Sequence, residues 1–206
     1  MDKNDQGINY VRNWIKKYSI GKGEKYHWAI DDNIKSFRFR DNNKNNKTTA
    51  EFCLSEAEHY VDKYKNIGAA GLTHTAFAFS RKTDLGFNKQ VYSCVLLRND
   101  LDIWYRPKVV DDTDYSLQIL TLDSFKWCTV LFHRLLIEKA ATMKMKGGNT
   151  EIEYGGIGRL KRTLELQRYW PGVFKFTTQY GRVKVLPSGI WNKFSQRPIE
   201  NETQGL

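Results

Sequence analysis

The chain has 206 residues, 40% of them hydrophobic and 27% charged, and a formal net charge of +10; that length suits one domain with a substantial core and leaves two cramped. Cys53, Cys94 and Cys128 stand far apart, with no Cys-x-x-Cys pair and no histidine at ligand spacing, which argues against a disulfide framework or a zinc site and for a reducing compartment. No apolar run approaches the roughly 20 residues of a spanning helix, and Met1 is followed by Asp-Lys-Asn-Asp rather than a secretory core, so a soluble, cytoplasmic protein is expected.

Ile8, Val11, Ile15 and Tyr18 recur at helical spacing, predicting an amphipathic helix from about 8 to 19 that Gly21 and Gly23 stop. Tyr26 to Ile30 then reads as an apolar strand ending abruptly in Asp31-Asp32-Asn33. Adjacent carboxylates repel, and a cation or polar ligand relieves them, so this strand end is a candidate site; the alternative is a plain turn, which Asp and Asn also favour. In open α/β sheets ligands sit outside the carboxyl ends of strands. Asp41 to Lys47, polar and Asn-rich, reads as a loop and candidate lid. Ser55 and Glu58 have capping-box spacing, and Ala57, Tyr60, Val61 and Tyr64 continue a helix expected to end near Gly68.

Leu72 to Phe79, Val91 to Leu97 and Ile103 to Tyr105 are β-like runs. His74 and His133 lie on β-like runs, where a histidine is more often structural than chemical. Val109-Val110 leads into a second acidic cluster, Asp111-Asp112-Thr113-Asp114, again read as acids at the end of an apolar step. Phe125 to Leu136 is expected to be a strand, with a helix as its rival, and Gly147-Gly148-Asn149-Thr150 to be a turn before a helix from about Glu151 or Ile157 to Arg168. Trp170-Pro171 ends that helix, Val173 to Phe176 and Val183 to Leu186 form a terminal strand pair, and the tail after Pro198 frays. No repeat or interdomain linker interrupts the chain.

The positive charge is concentrated. Between Arg159 and Pro198 nine basic residues face the single acid Glu165, a local excess of +8, interleaved with Tyr169, Trp170, Phe174, Phe176, Tyr180, Trp191 and Phe194. Basic groups alternating with aromatics suit a phosphate backbone with exposed bases; the alternative is a solvated basic face over an aromatic core.

Five segments together resemble the TET-associated glycosyltransferases, a GT-A-type nucleotide-sugar family found in phages. They are Arg12-Asn13, His27 to Ile34 with Phe37, Asp111 to Gln118, Gly147 to Thr150, and Arg168 to Gly172. The resemblance implies an α/β, GT-A-like (Rossmann-like) mixed sheet flanked by helices. It implies a donor site of Arg12, Asn13, Asp31, Asp32, Asn33, Gly148 and Asn149, with Asp31 and Asp32 at the Asp-x-Asp position that holds Mg²⁺ or Mn²⁺ on the donor diphosphate. Asn33 replaces the usual last Asp, and an amide oxygen ligates without contributing charge. Asp111, Asp112 and Asp114 fall at the acceptor-side motif, one of them the general base if the reaction inverts the anomeric centre.

The acceptor the family implies is a hydroxymethylated pyrimidine in DNA, flipped out of the duplex while Arg159, Lys161, Arg162, Arg168, Lys175, Arg182 and Lys184 hold neighbouring phosphates. The compartment would then be the infected host's cytoplasm. Only 30 residues precede Asp31, so a GT-A fold is expected here without its first βα unit, as a compact variant or as a truncated or split reading frame. Competing readings are a noncatalytic DNA-binding or accessory domain keeping the fold, a glycosyltransferase with a non-DNA acceptor, and a metal-dependent phosphodiesterase, which the lack of a His-rich cluster disfavours.

Overall fold

The computed structural model describes residues 8–106, 110–123, 126–140, 164–179, 182–187 and 189–202. Helix α1 (Ile8–Gly21) and strand β1 (Tyr26–Ile30) stand where the periodicity puts them. Next come β2 (Ile34–Asp41) and β3 (Lys44–Thr48). The Asn-rich tract is therefore a hairpin and not a loop: Asp41 pairs with Lys44, and Asn42 and Asn43 take φ of 45° and 62°. Two successive left-handed residues make the turn that matches strand twist, and asparagine tolerates that region. Polar strands lack the apolar alternation that betrays a hairpin in sequence.

Helix α2 (Ala50–Val61) starts earlier than its Ser55-Glu58 spacing suggests, because Thr49 caps it by accepting a hydrogen bond from the Phe52 amide. It also ends earlier. Gly68 belongs to β4 (Ile67–His74), where a Cβ would stand 2.6 Å from Ile119, so glycine admits the helix that packs there. The run expected as strand through Phe79 turns at His74 into the short α3 (Thr75–Ala78). The segments β5 (Leu85–Phe87), β6 (Cys94–Arg98), α4 (Asp111–Thr121) and β7 (Cys128–Lys139) follow. Beyond them 164–169 is helical, and β8 (Phe174–Gln179) and β9 (Arg182–Pro187) form the expected antiparallel pair.

The main sheet runs β1-β6-β4-β7-β2-β3, with β5 also on β7. Only β4 and β7 pair in parallel, the other ladders being antiparallel. Since β6 is antiparallel to both β1 and β4, strands β1, β4 and β7 point the same way. Their carboxyl ends, followed or closed by Asp31, His74 and Lys139, share one edge. This mixed, open sheet flanked by helices is the α/β architecture expected from sequence.

Both faces are covered. Along β6, Cys94 and Leu96 face a core with Cys53, Ala57 and Val61 of α2, while Val95 and Leu97 face Leu101, Ile103, Tyr105, Tyr115 and Ile119. That period of two with apolar residues at every position is the signature of a strand buried on both sides. The three cysteines are free and buried, in keeping with their spacing. A third cluster seats Leu166, Phe174 and Phe194 on Leu117 and Leu120 of α4. Residues 199–202, expected to fray, run along 63–66 through amide bonds Lys65 to Ile199 and Asn201 to Lys63. No described helix is long and apolar enough to cross a membrane.

Candidate functional site

The inner face of α1 carries polar groups with structural work to do. Lys16 is fully buried and donates to the Leu101 and Ile103 carbonyls, each at 2.7 Å. Asn13 donates to the Tyr105 carbonyl at 2.8 Å and accepts from its amide at 2.9 Å. These bonds explain why 103–105, expected as a strand, lies outside any ladder: α1 side chains satisfy its backbone instead. Burial holds the Lys16 ammonium down at about 8, below the ordinary lysine range.

One turn before Lys16, Arg12 gathers carboxylates from both acidic segments. Its guanidinium donates to Asp111 at 2.5 Å, Asp112 at 2.8 Å and Asp31 at 3.2 Å, and stacks over the Tyr105 ring at 5.1 Å. Asp31 is also held by Lys139 at 2.7 Å, which reaches the Ser93 hydroxyl at 3.1 Å. Asp31 thus follows β1 as expected, but Asp111 and Asp112 do not end a strand; they open α4. Carboxylates are favoured in a helix's first turn, where unpaired amides point outward. Val110 before them has φ of 55°, and Ser93 opposite has φ of 69°, so two non-glycine residues in the left-handed region flank the cluster.

Charge is balanced unevenly. Burial tends to neutralise Arg12, yet Asp112, Tyr105, Asp111 and Asp31 outweigh it and hold the guanidinium firmly protonated. Burial raises the Asp111 and Asp112 carboxyls above the ordinary range despite Arg12; Asp112 is lifted further by Asp111 and Asp31. Arg12 reaches one of the two Asp112 oxygens, Oδ1.

Asp114 has a different place. It is fully buried, and its oxygens accept from Arg106, from Gln118 at 2.8 Å and from the Trp170 indole at 2.7 Å. Arg106 in turn lies 4.6 Å over Tyr169. Asp114 therefore ties α4 to 169–170 and presents no free oxygen. Replacing it by alanine strands a guanidinium and an indole N–H. Because Arg106 is 36% exposed, a loss near the lower end of the 3–5 kcal/mol range for broken buried pairs, about 3 kcal/mol, is expected in chemical unfolding.

A family model described as TET-associated glycosyltransferase matches residues 1–148. The chain belongs to this family. No curated protein and no solved structure matches it. The resemblance read from the sequence is thereby borne out, and the matched span of this glycosyltransferase contains Arg12, Asp31, Asp111, Asp112 and Asp114. Trp170 lies beyond that span, yet its bond to Asp114 makes it part of the same framework.

The divalent cation expected from the resemblance finds a donor set that fits it poorly. Both oxygens of Asp31 are engaged, by Arg12 and Lys139, and Arg12 sits between Asp31 and the α4 carboxylates where a cation would compete with it. Among the described residues no group of three or more His, Cys, Asp or Glu side chains is arranged to hold a metal. Asp32 is exposed, and the buried amide oxygen of Asn33 has no hydrogen-bond partner, a single neutral donor. Asn13 is committed to Tyr105 rather than turned to a ligand. Gly148, Asn149, Arg159, Lys161 and Arg162 lie outside the described residues; Arg168 and Lys175 are exposed, and Arg182 and Lys184 are on β9.

Several neighbours carried little or no signal in the sequence. Lys139 is a lone lysine closing an apolar strand. His74, read as structural, ends β4 on the same edge, its ring 5.0 Å from Tyr92. Burial lowers His74, with Lys139 adding to it and Asp31 opposing. Tyr92 is raised by burial, lowered by Arg81 and raised by Asp112. Arg81 lines a recess of about 290 Å³ with Arg40, Lys82 and Arg134. His133 also lines it and is held by the Thr83 carbonyl at 2.8 Å, as a structural histidine should be.

Proposed function

We propose that this glycosyltransferase moves a sugar from a nucleotide-sugar donor to the hydroxymethyl group of a pyrimidine in DNA. The observation that carries the reading is the convergence of Asp31, Asp111 and Asp112, from segments about 80 residues apart, on Arg12 at the carboxyl edge of β1, β4 and β7. Carboxylates there suit sugar hydroxyls and the acceptor proton. In an inverting displacement the acceptor oxygen bonds to the anomeric carbon, the bond from that carbon to the donor phosphate breaks, Asp112 takes the hydroxyl proton, and the nucleoside diphosphate departs. Lys139, bonded to Asp31 at 2.7 Å, supplies a cation for that departing charge, and no step is assigned to a metal. Exposed Arg168 and Lys175 support a polyanionic acceptor.

The test is sugar transfer by the purified chain to duplex DNA containing 5-hydroxymethylcytosine, scored by mass across a panel of nucleotide sugars, with and without a chelator. Transfer is expected with one donor, to persist within a few-fold in chelator, and to fall at least a hundredfold in Asp31→Ala. Strict dependence on Mg²⁺ or Mn²⁺ would sink the assignment of charge to Arg12 and Lys139. DNA binding without transfer from any donor would favour the accessory-domain reading.

A further inference from the structure

The outer face of α1 has no part in the carboxylate cluster. Between that face and Trp104 runs an open groove of about 1000 Å³ whose lining includes Trp14, Lys17, Tyr18 and Lys22. Trp14 and Tyr18, one turn apart, stack in parallel with centroids at 5.4 Å and planes at 11°. Tyr18 is 55% exposed, an unusual cost for so large a ring unless it meets something. Lys22 holds its ammonium 5.5 Å from the Tyr18 ring, and Lys17 is exposed on the same face. The Trp104 indole is fixed by Asp102 at 2.7 Å and backed by the Lys16 ammonium at 5.2 Å.

We propose that this groove binds an unpaired nucleic-acid strand, its bases stacked on Trp14, Tyr18 and Trp104 and its phosphates met by Lys17 and Lys22. Three features select that occupant. Successive aromatic faces accept any base, since every base has a π-face. The flanking side chains are cationic in a chain of net charge +10, which favours a polyanion over a neutral glycan that could also stack on tryptophan. From Tyr10 to Gly21 the groove is about 16 Å long at about 1.5 Å per residue, the length of several nucleotides rather than of one. Sugar transfer is not required for this inference; a groove that holds an unpaired strand would serve a base taken out of the duplex or one already single-stranded.

The experiment measures binding of a labelled oligothymidylate single strand to the full chain by fluorescence anisotropy, with a duplex of equal length, a nucleoside diphosphate and a neutral glucose oligosaccharide as competitors. The wild type is expected to bind the single strand more tightly than the other probes. Tyr18→Ala, at an exposed position, should weaken it about tenfold or more with its unfolding temperature unchanged, in line with about 1–3 kcal/mol per stacked base. Lys17→Gln with Lys22→Gln should reduce the slope of log affinity against log salt by about 1.4, at roughly 0.7 per phosphate contact. Unchanged strand affinity in Tyr18→Ala overturns the groove assignment, as does displacement of the strand by the oligosaccharide, or a loss confined to the nucleoside diphosphate. Transfer to hydroxymethylated DNA by the wild type, with strand affinity intact in Tyr18→Ala, would leave the proposed reaction standing and remove the groove alone.

Discussion

Arg12→Ala is expected to destabilise the fold by about 3–5 kcal/mol near neutral pH and to abolish sugar transfer. The magnitude follows from removing the cation of a largely buried cluster while leaving its carboxylates behind. Arg12 is 11% exposed and touches Asp31, Asp111 and Asp112, so its loss leaves Asp111 and Asp112 facing one another with only Lys139 near Asp31. The pH dependence has a definite sign. Asp111 and Asp112 already have raised pKa values in the folded state, so that state binds more protons than the unfolded chain above the ordinary carboxylate range. Stability from this source is present at low pH and is lost as pH rises through the raised values. Without Arg12 those values climb further, and the gap between wild type and variant widens from pH 5 to pH 8. Urea unfolding at both pH values checks it. Arg12→Lys should recover only part of the loss, because one ammonium lacks the planar fork that serves several carboxylates. A variant within 1 kcal/mol of wild type at pH 8 would mean that Arg12 does not hold the cluster together.

How far this arrangement was legible depends on the kind of signal each residue leaves. Asp31 was readable because an apolar run stops at it, and β1 ends there. Asp111 and Asp112 were readable as charges but not as a helix start. Eight of the eleven residues of α4 are buried, so no polar stripe marks its period, and acids after Val109-Val110 looked like a strand end. The segment 103–105 reads as apolar and extended, yet what satisfies its backbone, Asn13 and Lys16, lies some 90 residues away. No local pattern reports that. Lys139 and Tyr92 enter the site only through the fold, since a lone lysine and a lone tyrosine carry no motif. Asp114 shows the converse. It stood in the most acidic motif of the chain, and the structure turns it inward to Arg106 and Trp170, away from its two neighbours. Helical spacing of about 100° per residue sets Asp112 and Asp114 about 160° apart, so one faces α1 and the other the C-terminal segment.

The sharpest test of the proposed chemistry is Asp112→Asn. The substitution keeps shape and the Arg12 contact through the amide oxygen, and it removes one of three crowded negative charges, so stability should hold or rise slightly. Transfer should nevertheless fall about a hundred- to ten-thousandfold in kcat, the usual contribution of a positioned base, with donor affinity little changed. Wild-type activity should rise with pH along a limb whose midpoint lies above the ordinary carboxylate range, because burial and the neighbouring Asp111 and Asp31 hold the Asp112 proton. That limb should vanish in the variant. Asp111→Asn provides the contrast. Its side chain is 11% exposed against 23% for Asp112 and makes the shorter bond to Arg12, so its loss should cost stability through Arg12 and keep the pH limb, displaced to lower pH because the Asp111 charge no longer raises Asp112. Should Asp112→Asn retain activity within tenfold of wild type, with the pH limb unchanged, the acceptor proton goes elsewhere.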